Sequence, residues 1–221
     1  MTSSFTDILN SFLLVYAGLF PIVNPVGSAP IFLGLTRHCT VGERHALAGW
    51  VAVNGFILLL CSLLVGSHVL EFFGITLPVL RIAGGAVVTS FGWTLLQAGK
   101  EVDGAHDTTK QAAPTDAFYP LTMPLTIGPG SISVAITLGS QRPKGMVHLA
   151  QLAEIGGAAI AGLVAVMMTV YLCYRFAERI VAVLGERGTG VMVRLSAFIL
   201  LCIGIQILWN GVSALPGLIS H

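Results

Sequence analysis

Charge is scarce in this sequence. Of 221 residues, 10% are charged, against about 25% in a soluble domain. The net charge of +1 leaves no basic surface for nucleic acid and no acidic partner to expect. Met1 to Asn10 has no basic n-region, and no Ala-x-Ala-like site follows its apolar run. The expectation is a retained first span rather than a cleaved signal peptide. The four cysteines (Cys39, Cys61, Cys173, Cys202) lack ligand spacing, and the last three lie in apolar runs, so they read as small hydrophobes. The histidines fall mostly in loops or at span ends without metal spacing, so neither a metal nor another cofactor is expected. Nothing resembles a P-loop, which excludes ATP as an energy source within this chain. Ser28, Ser131 and Ser133 have no buried histidine or lysine beside them in the sequence pattern, and no aspartate lies well inside a span. An intramembrane enzyme would need such pairs, so enzymatic activity is not expected.

What the chain has instead is apolar length. Hydrophobic residues make up 55% of it, and the mean hydropathy is +0.87. Long apolar runs fall at 5–23, 45–65, 75–97, 117–138, 149–174 and 193–215. Each reaches the roughly 20 residues that cross a hydrocarbon core. The polar stretch between them, 98–116, is the natural linker, expected on the cytoplasmic side, between membrane halves 1–97 and 117–221. The fold class is all-α integral membrane, with six transmembrane helices.

Two of the runs are interrupted in the same way. Phe20-Pro-Ile-Val-Asn-Pro-Val-Gly-Ser-Ala-Pro30 and Tyr119-Pro-Leu-Thr-Met-Pro-Leu-Thr-Ile-Gly-Pro-Gly-Ser131 each open on an aromatic and a proline. Each has a second proline four residues on and then runs into glycine and serine. Proline removes a donor and clashes with the preceding turn, which predicts broken helices at Asn24–Pro30 and Pro124–Ser133. Unpaired backbone is costly in lipid, so such breaks persist inside protein or beside a water-filled cavity. A repeated break is the best sequence pointer to a transport site. A kink satisfied by neighbouring helices is the competing reading of either break alone; the repetition favours a site.

The halves align elsewhere too. Leu80-Arg81-Ile82-Ala83 lies over Val193-Arg194-Leu195-Ser196, Leu95 over Leu208 and Gln97 over Asn210. Three spans per half is an odd number, so the second half enters from the opposite side, giving an inverted 3+3 repeat. Arg37, Arg44, Lys100, Lys110, Arg175, Arg179 and Arg187 fall on one face, Arg142 and Lys144 on the other. The first face is therefore expected to be cytoplasmic, with both termini outside.

Within the first break, Asn24 is held extended by Pro25, and Gly27 allows close approach to the main chain. Ser28 suits the cap of a helix resuming at Pro30, whose free N–H groups would welcome a carboxylate. Gly128, Pro129 and Gly130 repeat this logic, with Ser131 or Ser133 as cap and Thr126 adding a hydroxyl. Arg81, Glu154 and Arg194 are the charges expected inside the membrane boundaries, where ionisable groups usually pair. Arg81 with Glu154, and Arg194 with Asn54, could form outer and inner gates; snorkelling arginines at helix ends are the alternative. Ala153, Gly157 and Ala161, and likewise Gly84-Gly85, predict close helix contacts. Trp93, Trp209, Tyr16 and Tyr174 read as packing or interfacial anchors.

Asn24-Pro-Val-Gly-Ser-Ala-Pro-Ile-Phe-Leu-Gly-Leu-Thr36 and Pro124-Leu-Thr-Ile-Gly-Pro-Gly-Ser-Ile-Ser133 resemble the signature segments of the MarC family, bacterial and archaeal inner-membrane proteins with six spans. The resemblance covers essentially the whole chain, including the Leu-Arg-Ile-Ala-Gly-Gly start of the third span. It implies a secondary transporter of small neutral amino acids such as glycine and alanine, or of related solutes, in the inner membrane. The partners to expect are such a solute, a coupling H+ or Na+, and the bilayer. A channel or an accessory membrane scaffold is the other reading.

Overall fold

The computed structural model describes residues 5–98, 116–140 and 149–215. Among these lie seven α-helices and one π-helical segment. The helices are α1 (Phe5–Val23), α2 (Pro25–Leu35), α3 (Val41–Phe72), α4 (Leu77–Ala98), α5 (Pro129–Ser140), α6 (Leu149–Arg175) and α7 (Ala177–Val212), and the π segment is Ala117–Thr126. By length and composition, five helices can cross a membrane. The π segment and α5, bent by 71° at their junction, make a sixth crossing if taken as one span. The linker 98–116 lies almost entirely outside the described residues, as do Arg142 and Lys144.

Local chemistry sets the helix ends. Thr40 and Glu43 close a capping box at the start of α3: Thr40 Oγ1 accepts from Glu43 N, and Glu43 accepts from Thr40 N. The same helix ends in a Schellman motif, where Gly74 N–H meets Glu71 O and Ile75 N–H meets Leu70 O. Gly74 takes φ +67 there, a conformation that a side chain would strain. A second left-handed glycine, Gly185 (φ 66), kinks α7, and the run 187–212 beyond it forms the span.

Side-chain contacts give the relative directions of the helices. Gly162 of α6 sits against Phe12 and Val15 of α1, and Thr169 meets Tyr16 further along, so α1 and α6 run parallel. Gly55 of α3 faces Ile127 at the second break, and further along α3 Leu63 and Gly66 meet Gly139 and Ile136 of α5. Gly55 also faces Met167, whereas Arg44, about three turns earlier, reaches Glu178 just beyond α6, so α3 and α6 are antiparallel. Ile82 meets Gly211, Thr89 meets Gly204 and Leu201 meets Gly92, which makes α4 and α7 antiparallel at close range. These directions are the alternation that six successive crossings produce.

The buried core gathers Leu19, Val23, Phe32, Val51, Leu59, Leu121, Ile127, Leu163, Val170 and Tyr174. It is therefore built from α1, α2, α3, the π segment and α6 together, and the two halves interlock. The outer surface is apolar instead of charged: Trp50 is 61% exposed and Phe72 83%. Water would not tolerate so continuous a surface, whereas lipid wets it. The expected small-residue contacts divide. Gly84 and Gly85 do mediate packing, against Ser133 and Leu208 respectively. Gly157 and Ala161 instead face outward, and α6 packs on α1 through Gly162.

Candidate functional site

The first break is confined to one residue. Pro25 excludes the right-handed helical conformation at Asn24, which takes φ 49, ψ 55. Asparagine tolerates this region because its short amide bonds locally. Asn24 N–H still donates to Phe20 O, closing α1, while its Oδ1 accepts from Gly27 N at 3.2 Å and opens α2. Pro25 occupies the first position of α2, where its missing donor costs nothing. The cap is thus Asn24 and not Ser28, because the helix resumes at Pro25, five residues before Pro30. Ser28 lies in the first turns and donates back to Asn24 O at 2.9 Å. Gly27 is buried where a Cβ would lie 2.8 Å from Ser196 Cβ of α7, so its bareness serves the seating of α2 on α7.

The second break is longer. Tyr119 and Met123 have extended backbones, and each precedes a cis proline, Pro120 and Pro124. Those prolines remove two donors from a segment that lipid cannot hydrate. Threonine hydroxyls add donors within the segment: Thr122 Oγ1 donates to Ala117 O at 2.8 Å and Thr126 Oγ1 to Leu121 O at 2.7 Å. Ile127 N–H reaches Thr122 O at 2.8 Å, completing the wide turn. The chain then runs through Gly128, whose carbonyl accepts the first bond of α5 from Ile132, with Pro129 at the first helical position. Gly128 therefore takes the place that Asn24 has in the first break. Ser131 donates back to Gly128 O at 2.8 Å and Ser133 across to Leu80 O of α4 at 3.2 Å, so neither caps by side chain.

Tyr174 joins the two breaks. It is fully buried on α6, and its hydroxyl is hydrogen-bonded to Thr126 Oγ1 at 2.8 Å. Its ring stacks on Phe32 of α2 with centroids 4.3 Å apart. The sequence pattern suggested only an anchor here. A tyrosine one residue before a terminal arginine carries no signal that separates a membrane-interface ring from a buried hydroxyl.

A cavity of about 110 Å³ opens at the second break. Thr126, Gly128, Pro129, Gly130 and Ser131 line it on one side. Ile22, Val87, Val88, Phe91 and Leu200 supply an apolar wall from α1, α4 and α7. Ile22 stands two residues before Asn24, but Asn24, Pro25, Gly27 and Ser28 do not line the cavity, which belongs to the second break. Glycine at 130 is required by space, since a Cβ there would lie 1.9 Å from Val88 Cγ2.

The expected gate residues are dispersed. Arg81 (α4) and Asn54 (α3) are half-buried, and Glu154 (α6) and Arg194 (α7) are exposed. The main neighbours of α4 are α7 and α5, not α6, because its glycine face draws it against α7; Arg81 and Glu154 therefore sit on helices that are not packed together. Likewise the main neighbours of α3 are α5, α6 and the π segment, so Asn54 and Arg194 sit on helices that are not principal partners. A partly buried ion pair lies elsewhere among the described residues. Arg44 of α3 pairs with Glu178 of α7 and donates to Thr36 O at 3.1 Å and Cys39 O at 3.3 Å. It ties the ends of α2, α3, α6 and α7 into one face of the bundle.

A sequence profile described as MarC family integral membrane protein matches residues 9–215. A UPF0056 membrane protein of Pyrococcus abyssi is 32% identical over 212 residues, which cover 96% of this chain and 99% of the relative. A UPF0056 inner membrane protein MarC of Salmonella typhimurium is 33% identical over 201 residues, covering 88% and 90%. No solved structure matches. Apolar spans, twin breaks and similarity along almost the whole length agree: the chain belongs to the MarC family of integral membrane proteins.

Proposed function

We propose that this protein is a secondary transporter, not an enzyme, that carries small neutral amino acids of the glycine or alanine type, or related small solutes, across the inner membrane. The cargo is held where the two breaks come together. The observation that carries this reading is Tyr174, whose hydroxyl is hydrogen-bonded to Thr126 of the second break while its ring stacks on Phe32 of α2, the helix that leaves the first. Buried polar groups at membrane depth mark solute pathways, because otherwise their desolvation is not repaid.

The cavity supports the class of cargo. Its 110 Å³ is far below the 300–1,000 Å³ or so of sites for drug-sized ligands, which restricts cargo to a few heavy atoms. Among the described residues no charged side chain lines it, so a cargo with a net charge would be stranded there. The first turn of α5, at Gly130 and Ser131, offers backbone N–H groups and the positive end of a dipole, suited to a carboxylate. Pairing of helices supports an inverted repeat: α2 packs on α7 as α5 packs on α4, while α3 against α6 and α4 against α7 run antiparallel. Rocking of one half against the other around the breaks, coupled to H+ or Na+, follows from such an architecture. The face tied by Arg44 also gathers Arg37, Arg175 and Arg179, which supports a cytoplasmic placement of that face and both termini outside.

The test is uptake into proteoliposomes against a panel of amino acids. Saturable, stereoselective uptake of glycine- or alanine-sized substrates is the expected result. Flux that rises linearly with concentration would assign a channel, and folded protein that moves no solute in the panel would leave a scaffold.

A further inference from the structure

A second hollow, of about 300 Å³, lies between α3 and α6. Gly49, Val53 and Phe56 line it from α3, and Val164, Met168 and Tyr171 from α6. It is open to the outside: Val53, Val164 and Met168 are exposed, and a Cβ added at Gly49 would have nothing within 4 Å. Because α3 and α6 are antiparallel, with Gly55 facing Met167, Gly49 and Tyr171 stand at one end of the hollow and Phe56 and Val164 at the other. Seven residues of helix make the groove about 10 Å long, a third of the hydrocarbon thickness of about 30 Å.

The Tyr171 end is electropositive. Arg175, one turn further along α6, donates from its guanidinium to the Tyr171 hydroxyl and lies over the same ring at 5.7 Å. Arg179 lies over the Phe176 ring at 5.5 Å. The carboxylates at this end are engaged, Glu178 by Arg44 and Glu43 by the Thr40 N–H and hydroxyl. The Arg175 guanidinium thus stands on the aromatic ring where the apolar groove ends, with Arg179 four residues on, the place of a headgroup above an acyl chain.

We infer that the α3–α6 groove is a binding site for an anionic phospholipid, with the upper part of an acyl chain between Gly49 and Phe56 and the phosphate at Arg175. The charge of the groove mouth selects the occupant: a zwitterionic lipid gains less from Arg175 and Arg179, and a second copy of this chain would present the same cationic mouth to itself. The site is separate from the cavity at the breaks and does not depend on transport.

Native mass spectrometry of the purified protein, given phosphatidylglycerol or phosphatidylcholine, tests this. Wild type should retain one phosphatidylglycerol with about tenfold preference over phosphatidylcholine. Arg175→Gln should remove the preference. Gly49→Leu, which fills open space without striking protein, should remove the retained lipid while preserving helicity, and Val164→Trp on the opposite wall should do the same. Equal retention of the two lipids by wild type, or retention unchanged in all three variants, would overturn the site. A dimer that Gly49→Leu dissociates would overturn it as well, by giving the groove to a second copy.

Discussion

At the scale of single residues, the structure turns on a few polar groups that stand in for missing backbone partners. Tyr174→Phe removes the hydroxyl that is hydrogen-bonded to Thr126 and leaves the ring on Phe32 in place. The expected stability cost is about 0.5–1.5 kcal/mol, the range of one hydrogen bond, seen as a fall of a few degrees in Tm. Arg44 behaves differently, because three groups depend on it. Glu178→Gln leaves a buried guanidinium with two carbonyls but no counter-charge; Glu178 is itself 53% exposed, which places the loss between the 0–1 kcal/mol or so of an exposed pair and the 3–5 kcal/mol or so of a buried one. Arg44→Gln should cost more, since the Thr36 and Cys39 carbonyls lose their donors too. Thermal melts in one detergent would order the variants; equal melting of Arg44→Gln and wild type would contradict the assignment. Neither pairing was legible in the sequence. Tyr174 and Thr126 are 48 positions apart and Arg44 and Glu178 are 134 apart, and only packing joins them.

At the scale of elements, the sequence said most where a residue type forbids something. Pro25 and Pro124 each fall at a break, because a missing donor is a local fact. The first break, however, is Asn24 alone, and the second runs from Tyr119 to Gly128, with 129–133 already helical. Where each helix resumes was not local: Asn24 takes a left-handed conformation that lets α2 start at Pro25, and the second break needs the Thr122 and Thr126 hydroxyls to span its length. Glycine spacing was an ambiguous guide for the same reason, as it does not say which face of a helix meets a partner. The contrast is testable. Gly85→Leu and Gly204→Leu place side chains within 2.4–2.5 Å of backbone on the facing helix, and α4 and α7 must separate. A loss of at least the 1–3 kcal/mol or so typical of overpacking is expected. Gly157→Leu meets nothing and should melt like wild type. A stable Gly85→Leu variant, or an unstable Gly157→Leu one, would contradict the packing.

At the scale of the whole molecule, composition alone made the membrane class legible, and the apolar exterior agrees with it. Orientation rests on the basic residues gathered near Arg44. A cysteine at Arg37, with the native cysteines replaced, should resist membrane-impermeant thiol reagents in intact cells and react once the cells are opened; labelling in intact cells would invert the topology. The central claim is that two breaks, one from each half, make a single solute site joined through Tyr174. Initial rates of glycine or alanine uptake into proteoliposomes, compared for wild type and Tyr174→Phe at matched reconstitution, test it most directly. The expected result is saturable wild-type uptake that falls about tenfold in the variant, equivalent to about 1.4 kcal/mol, with the variant still folded and helical. Wild-type rates in Tyr174→Phe, or uptake that never saturates in either protein, would contradict it.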